Sequence, residues 1–140
     1  MNLEKAVAIA TEAHKDHKDK YGQPYLGHVF RVMNAGKTDN ERIAGVLHDL
    51  VEDTLWTFED LAEAGFAHNI IEAIRCLSKT SENEDYESFT ARVATSPLAI
   101  KVKLNDLMDN LDIRRMPEIT EKDIKRLNKY LKAYKMLVEL

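Results

Sequence analysis

Histidine and carboxylate side chains are concentrated in one short segment of the sequence, residues 48–54, which reads His-Asp-Leu-Val-Glu-Asp-Thr. The residues before it, 43–47, are apolar and are expected to be packed, so the polar groups begin where a buried helix would otherwise continue. Burying a charged group beside an apolar core costs free energy unless an opposite charge or hydrogen bonds compensate for the lost water. A divalent metal ion compensates adjacent imidazole and carboxylate groups because it supplies positive charge and organises their lone pairs. The segment therefore predicts a metal centre.

Two other polar positions interrupt apolar sequence in the same way. His28 follows the turn at 22–25, and Asp106 has Lys103 three residues before it and Asn110 four residues after it on the same predicted helix face. Two nitrogen and two oxygen ligands from three separate helices would suit manganese, iron or zinc and leave coordination positions open for water. These four predicted ligands are His28, His48, Asp49 and Asp106.

Composition and charge favour one cytoplasmic domain. With 140 residues, 44% of them hydrophobic, the chain can bury one core, and we expect a single domain over residues 1–140. The 20 basic and 24 acidic residues give a net charge of -4, which argues against a nucleic acid or an anionic membrane as partner. Cys76 is the only cysteine, so neither an intramolecular disulfide nor a thiolate metal site is expected. No apolar stretch approaches the roughly 20 residues that span a bilayer.

The elements that must position the candidate ligands are helices. Apolar residues recur at spacings of three and four while alternating β-branched segments are scarce, so we predict an all-α bundle of about six to eight helices. Asn2 is the predicted cap of the first helix, and Thr57 with Asp60 forms a predicted capping box. The predicted helices run from residue 3 toward a loop at 21–24 and over 28–34, about 40–52, 58–64, 67–77, 85–95, 97–111 and 120–140. The segment 78–84 is predicted to be the most mobile loop.

Taken together, the motifs resemble a known family. The series PYLGH at 24–28, HDLVEDT at 48–54 and KLND at 103–106, followed by Asn110, is similar to the HD-type hydrolase domain of the bifunctional alarmone enzymes. It is especially similar to their stand-alone relatives, the small alarmone hydrolases. The resemblance implies a compact all-α HD-domain fold and a manganese-dependent reaction that removes pyrophosphate from the 3′ position of ppGpp or pppGpp. Adenosine alarmones such as ppApp stay open as substrates.

The resemblance also implies a role for each matched residue. It makes His28, His48, Asp49 and Asp106 the metal ligands. It makes Glu52 and Asp53 the pair that positions and activates water, and their spacing of four residues from His48 and Asp49 would let both project from the ligand-bearing end of one helix. The substrate contacts that it implies are Lys20, Lys103, Asn110 and Tyr130, with the Tyr130 ring near the purine.

A nucleotide with two diphosphates is strongly anionic, so a chain of net charge -4 must concentrate basic residues near the site. The candidates are Lys15, Lys18, Lys20, Lys101, Lys103, Arg114 and Arg115. The chain departs from the family pattern at Asp19, Val29, Leu107 and Asp109, and these differences bear on substrate choice more than on metal chemistry.

Two other functions stay open from the sequence. An HD-family phosphohydrolase that acts on nucleoside monophosphates would use the same metal ligands but would not need the Glu52–Asp53 pair. A non-catalytic nucleotide sensor would keep the pocket without turnover. His14 and His17 have charged neighbours, so we expect them on a solvated helix face, with His14 able to pack near the site.

Overall fold

The computed structural model describes residues 2–140, and no β-strand occurs in that range. Eight of its α-helices have six or more residues, and a ninth, α4, is a single turn, so the predicted all-α fold is confirmed. Met1, which the predicted domain includes, lies outside the described residues, and the division into one domain stays a prediction. The helices are α1 Leu3–His14, α2 Leu26–Ala35, α3 Asp39–Leu47, α4 Leu50–Asp53, α5 Phe58–Glu63, α6 His68–Cys76, α7 Tyr86–Val93, α8 Pro97–Asn110 and α9 Glu121–Val138, with a 3-10 turn at Ile113–Arg115. Between residues 2 and 140, no helix combines the length and the apolar character that crossing a bilayer requires.

Side-chain caps fix where several helices begin. The Asn2 side chain accepts a hydrogen bond from the backbone N–H of Lys5 (3.0 Å), as predicted for α1. Before α5, Thr57 accepts from the N–H of Asp60 (3.1 Å) and the Asp60 carboxylate accepts from the N–H of Thr57 (3.0 Å). This is the predicted capping box, and it supplies partners for N–H groups that the first helical turn leaves free.

The prediction of one helix through Glu52 is wrong, because the helix breaks at His48 and Asp49. The Nδ1–H of His48 donates to the carbonyl of Gly45 at 2.6 Å and so competes for an acceptor that a continuing helix would need. Asp49 takes φ -101° and ψ 1°, and helix resumes at Leu50. The polar residues of the motif therefore lie on both sides of a turn, and the four-residue spacing argument made for one helix does not apply.

The helix α3 forms the centre of the molecule and packs against α1, α2, α6 and α8. Val46, Leu47 and Leu50 are fully buried around the break. At Gly45 a Cβ atom would lie 3.3 Å from the carbonyl oxygen of Val32, so the backbones of α2 and α3 approach closely there. This contact sets the helix that carries His28 beside the turn that carries His48.

Candidate metal centre and cleft

The four predicted metal ligands converge in the structure. His28 comes from α2, His48 and Asp49 from the turn between α3 and α4, and Asp106 from α8. One ligand atom each from His28, His48 and Asp49 lies within 4.8 Å of the others. Oδ1 of Asp106 lies 3.0 Å from Nε2 of His28 and 3.4 Å from Nε2 of His48. We refer to these four side chains as the inner cluster.

Both imidazole rings present Nε2 to the inner cluster because Nδ1 is bound elsewhere. Nδ1 of His48 is held by the Gly45 carbonyl, and Nδ1 of His28 lies 2.6 Å from Oδ2 of Asp109. Within residues 2–140, the buried Nε2 of His48 has no hydrogen-bond partner, although Oδ2 of Asp49 lies only 3.0 Å away. A buried nitrogen without a partner beside carboxylate oxygens fits a bound cation.

Opposite charges stabilise one another in the inner cluster. Burial lowers the pKa of His28, but hydrogen bonds to Asp106 and Asp109 outweigh burial and raise it to about 9. Burial likewise opposes charge on His48, and Asp49 and Asp106 raise its pKa well above the ordinary value. Burial acts to raise the pKa of Asp106, which the Lys103 ammonium and the two imidazoles instead hold well below its usual range. A cation bound by these four side chains would take the place of the protons on Nε2 of the two imidazoles.

Three side chains hold the carboxylates of Asp49 and Asp106 in place. Nζ of Lys103 donates to Oδ2 of Asp106 (2.9 Å), Nδ2 of Asn110 donates to Oδ1 of the same carboxylate (3.1 Å), and the Tyr25 hydroxyl donates to Asp49. Lys103 is buried. Lys103 and Asn110, which were expected to contact the substrate, thus bind the carboxylate of Asp106, a predicted metal ligand. Both side chains also line the cleft, and their contacts with a substrate stay predictions.

Glu52 and Asp53 of α4 both line the grooves beside the cleft, but only Glu52 also lines the cleft itself. Glu52 lines the cleft over the inner cluster, and its Oε1 accepts from the backbone N–H of Lys79 (2.8 Å). Asp53 instead lines the adjoining groove beside Glu52. Burial, followed by the charges of Asp49 and Glu52, raises the pKa of Asp53 to about 7. The pair borders the inner cluster from one side, with only Glu52 in the cleft itself.

The cleft that opens over the inner cluster is rich in basic and aromatic side chains. Lys20 and Tyr130 line it as expected. Lys79, Lys129 and Tyr86 also line it and were missed by sequence reasoning, since they follow no motif. A second depression shares Lys20 and Tyr130 with the cleft and adds further basic residues, namely Lys18, Arg31, Arg115 and Arg126.

Neighbouring cations perturb one another along this cleft. Partial desolvation and then the charge of Arg126 lower the pKa of Lys20, and partial desolvation followed by the charges of Lys79 and Lys103 lowers the pKa of Lys129. Nζ of Lys129 lies 4.7 Å from the centre of the Tyr86 ring. Like charges held this close favour an anionic ligand. Among the basic candidates from the sequence, Arg114 is exposed and binds Asp112 instead.

Asp109, which the sequence singled out only as a departure from the family pattern bearing on substrate choice, contacts a predicted metal ligand. Its side chain is 9% exposed and binds His28, Arg31 and Arg115. The available signal was its position three residues after Asp106, which puts both carboxylates on one face of α8.

The prediction of a solvated helix face is wrong for His14. Its side chain is buried, its ring centre lies 5.5 Å from that of Tyr25, and its Nδ1 lies 3.1 Å from Nδ1 of His17. Burial lowers its pKa, which favours the neutral ring. The expectation that His14 packs near the site is confirmed.

Comparison with known proteins gave matches in sequence and in fold. No family model matches the chain. The guanosine-3′,5′-bis(diphosphate) 3′-pyrophosphohydrolase of Aquifex aeolicus is 29% identical over 119 residues, which cover 78% of this chain and 17% of that protein. A GTP pyrophosphokinase of Myxococcus xanthus is 30% identical over 140 residues, 89% of this chain and 18% of that protein. The bifunctional (p)ppGpp synthase/hydrolase SpoT of Escherichia coli is 26% identical over 123 residues, 78% of this chain and 17% of that protein.

A solved structure of a metazoan ortholog of SpoT, described as hydrolysing ppGpp and playing a role in starvation responses, has a similar fold. It matches with a TM-score of 0.77 and 23% identity over 96% of this chain and 84% of that chain. The chain spans less than a fifth of the length of the curated relatives named above. These matches confirm the resemblance to alarmone hydrolases that the motifs indicated, and the structural match confirms the fold.

Proposed function

We propose that this protein is a metal-dependent hydrolase that removes pyrophosphate from the 3′ position of ppGpp or pppGpp and leaves GDP or GTP. The observation that carries the proposal is the convergence of two imidazoles and two carboxylates from distant parts of the chain onto one buried cluster beside a basic cleft. The sequence relatives named for (p)ppGpp hydrolysis support the same substrate class.

His28, His48, Asp49 and Asp106 would hold one divalent ion, and we propose manganese. Mixed nitrogen and oxygen ligands suit manganese and disfavour ions that prefer thiolates. Such an ion, when bound, supplies Lewis acidity and lowers the pKa of a coordinated water from about 15.7 toward 7. Lys103 binds Oδ2 of Asp106, which keeps Oδ1 toward the two imidazoles, and the Tyr25 hydroxyl holds the Asp49 carboxylate.

Glu52 and Asp53 would orient the attacking water and accept its proton. Glu52 borders both the inner cluster and the cleft, and the Lys79 N–H engages one of its oxygens, which leaves the other free to accept a hydrogen bond from water. Asp53 lines the groove beside Glu52, and its raised pKa suits it to accept a proton from water.

The basic side chains of the cleft would bind the phosphates. Lys20, Lys79 and Lys129 surround the opening with positive charge, while Tyr130 offers an aromatic ring for the base. Asn110 and Lys103 would contact the nucleotide from α8. We propose a small nucleotide as the partner and the cytoplasm as the location, with no role for nucleic acid or membrane.

A product assay tests the proposal. The manganese-loaded protein is incubated with ppGpp, pppGpp, ppApp and nucleoside monophosphates, and release of pyrophosphate is compared with release of orthophosphate. We expect pyrophosphate from ppGpp and pppGpp, and none from an H48A variant, which lacks a proposed ligand. Orthophosphate released from monophosphates alone would favour the broader phosphohydrolase. Binding without turnover of any substrate would favour a nucleotide sensor.

A further inference from the structure

The ring of His28 is held between two carboxylates of one helix. Asp106 and Asp109 lie three residues apart on α8 and face α2 together. Oδ1 of Asp106 is 3.0 Å from Nε2 of His28, and Oδ2 of Asp109 is 2.6 Å from Nδ1 of the same ring. One carboxylate therefore meets each nitrogen of the ring.

We propose that Asp109 is a positioning residue that fixes which nitrogen of His28 faces the metal. An ionised carboxylate accepts hydrogen bonds and donates none, so the nitrogen that it contacts must carry the proton. With Nδ1 held protonated by Asp109, Nε2, which faces Asp106, is the nitrogen whose proton a metal ion can replace. A ligating imidazole needs this tautomer, and a partner for its second nitrogen fixes both the tautomer and the ring orientation.

Two guanidinium groups fix Asp109 in turn. Nε of Arg31 donates to its Oδ1 at 2.7 Å, and a terminal nitrogen of Arg115 lies 3.3 Å from its Oδ2 and 2.7 Å from its backbone carbonyl. Arg31 lies three residues after His28 on α2, so one turn of that helix carries both groups that Asp109 binds. These contacts favour the ionised carboxylate in the geometry that His28 requires.

The tautomer of the second histidine, His48, is fixed by a backbone group and not by a side chain. Nδ1 of His48 is held by the backbone carbonyl of Gly45, which no side-chain substitution removes. The His28 tautomer depends on the Asp109 side chain, so a single substitution can separate the two ligands. This inference deepens the proposed function, because it rests on the inner cluster holding a metal ion.

Metal affinity tests the inference without an activity assay. Manganese binding to the wild type, D109A and D109N is measured by titration calorimetry, and circular dichroism checks the fold of each metal-free protein. We expect D109A to weaken binding by about 10- to 100-fold, the usual effect of removing a partner of a metal-bound histidine. D109N should lose less, since its amide oxygen still accepts from Nδ1 and its shape is conserved. D112N is the matched control and should bind manganese as the wild type does, because Asp112 also pairs with Arg115 and is not a contact of His28.

The protonation of the ring supplies a second readout. In protein loaded with diamagnetic zinc, the Nδ1–H proton of His28 should show the downfield NMR shift of a hydrogen bond to a carboxylate in the wild type and lose that shift in D109A. Wild-type affinity and an unchanged ring signature in D109A and D109N would overturn the inference while leaving the metal centre intact. Metal binding by the wild type without turnover of ppGpp would instead overturn the proposed function alone. A wild type that binds no metal would overturn both.

Discussion

The inner cluster differs from the rim of the cleft, by which we mean Lys20, Lys79 and Lys129, in how its charges are balanced. In the inner cluster the charged groups are buried and matched, as Asp106 is with Lys103 at 2.9 Å. At the rim Lys20, Lys79 and Lys129 are exposed, and within residues 2–140 none of the three forms an ion pair. The charges of the cluster are thus paired within the protein, whereas the three rim ammonium groups stay available to an anionic ligand. Changes in the cluster should affect metal binding and folding, and changes at the rim should affect substrate binding alone.

The largest expected effect is that of D106A in the inner cluster. The substitution leaves Lys103, His28 and His48 without their shared carboxylate, and removing one partner of a buried charge pair costs about 3–5 kcal/mol. We expect loss of bound metal and of activity together with that drop in the free energy of unfolding. Elemental analysis and urea titration measure the two effects.

The matched control for D106A is D39A. The Asp39 side chain is 85% exposed and pairs with Arg42 on its own helix, so its loss should change the free energy of unfolding by less than about 1 kcal/mol. Equal destabilisation by the two substitutions would contradict the view that the buried ion pairs of the inner cluster contribute more to stability than an exposed ion pair.

Glu52 lies where the two regions meet, and E52Q should separate metal binding from turnover. The amide keeps an oxygen that can accept from the Lys79 N–H, so the local structure should persist. We expect near-normal metal content and a kcat for ppGpp lowered by about 100-fold, because the amide cannot accept the proton of water. D53N should behave in the same way. Loss of metal from either variant would place that carboxylate among the ligands.

At the rim, neutralising Lys79 or Lys129 should weaken substrate binding without loss of metal. One charge-assisted contact to a phosphate contributes about 1.5–3 kcal/mol, so K79M or K129M should raise the KM for ppGpp by about 10-fold or more. Steady-state kinetics at low and moderate salt measure the effect, which should shrink as salt rises. K101M is the control, since Lys101 is exposed on α8 and lines neither part of the cleft. A KM unchanged in both rim variants would contradict phosphate binding there.

The smallest effect concerns how the segment 78–84, which carries Lys79, is held. Arg92 binds both the carboxylate of Glu84 and the backbone carbonyl of Ser78. Hydrogen bonds from Arg92 and from the backbone N–H of Thr80 lower the pKa of Glu84 to about 2. Because the pKa in the folded state lies below that of the unfolded chain, this contact stabilises the protein above about pH 4.5 and is lost as the pH falls toward 2. The advantage of the wild type over E84Q in urea unfolding should therefore shrink between pH 6 and pH 3, and a constant difference would show that Glu84 acts without its charge.

Features set by neighbouring residues were predictable from the sequence. The caps at Asn2 and Thr57 depend on groups within three residues, and the structure has both. The helix break at His48 was missed because the apolar periodicity continues through it, and only the orientation of the imidazole toward Gly45 reveals the competing hydrogen bond. Local pattern thus predicted the helices but not this interruption.

At the candidate site, too, residues within motifs could be predicted and residues brought in by packing could not. The four proposed ligands carry motifs, so their convergence could be predicted from the sequence. Asp109, by contrast, has a partner 81 residues away, and Lys79 and Lys129 reach the cleft only through the packing of distant segments. The segment 78–84 is irregular, as predicted, but Arg92 and the contact between Lys79 and Glu52 tie it to the rest of the molecule. Its mobility stays a prediction.

The absent side chain at Gly45 has a consequence for engineering. Replacing a helical glycine with alanine commonly stabilises a protein, because it restricts the unfolded chain. Here the added methyl group would lie 3.3 Å from backbone atoms of both Val32 and Met33 and would force α2 away from α3 by a few tenths of an ångström. The rings of His28 and His48, whose centres are 5.4 Å apart, ride on those two backbones. A routine thermostabilising substitution at this uncharged position would therefore change the spacing of the two histidines that we propose as metal ligands.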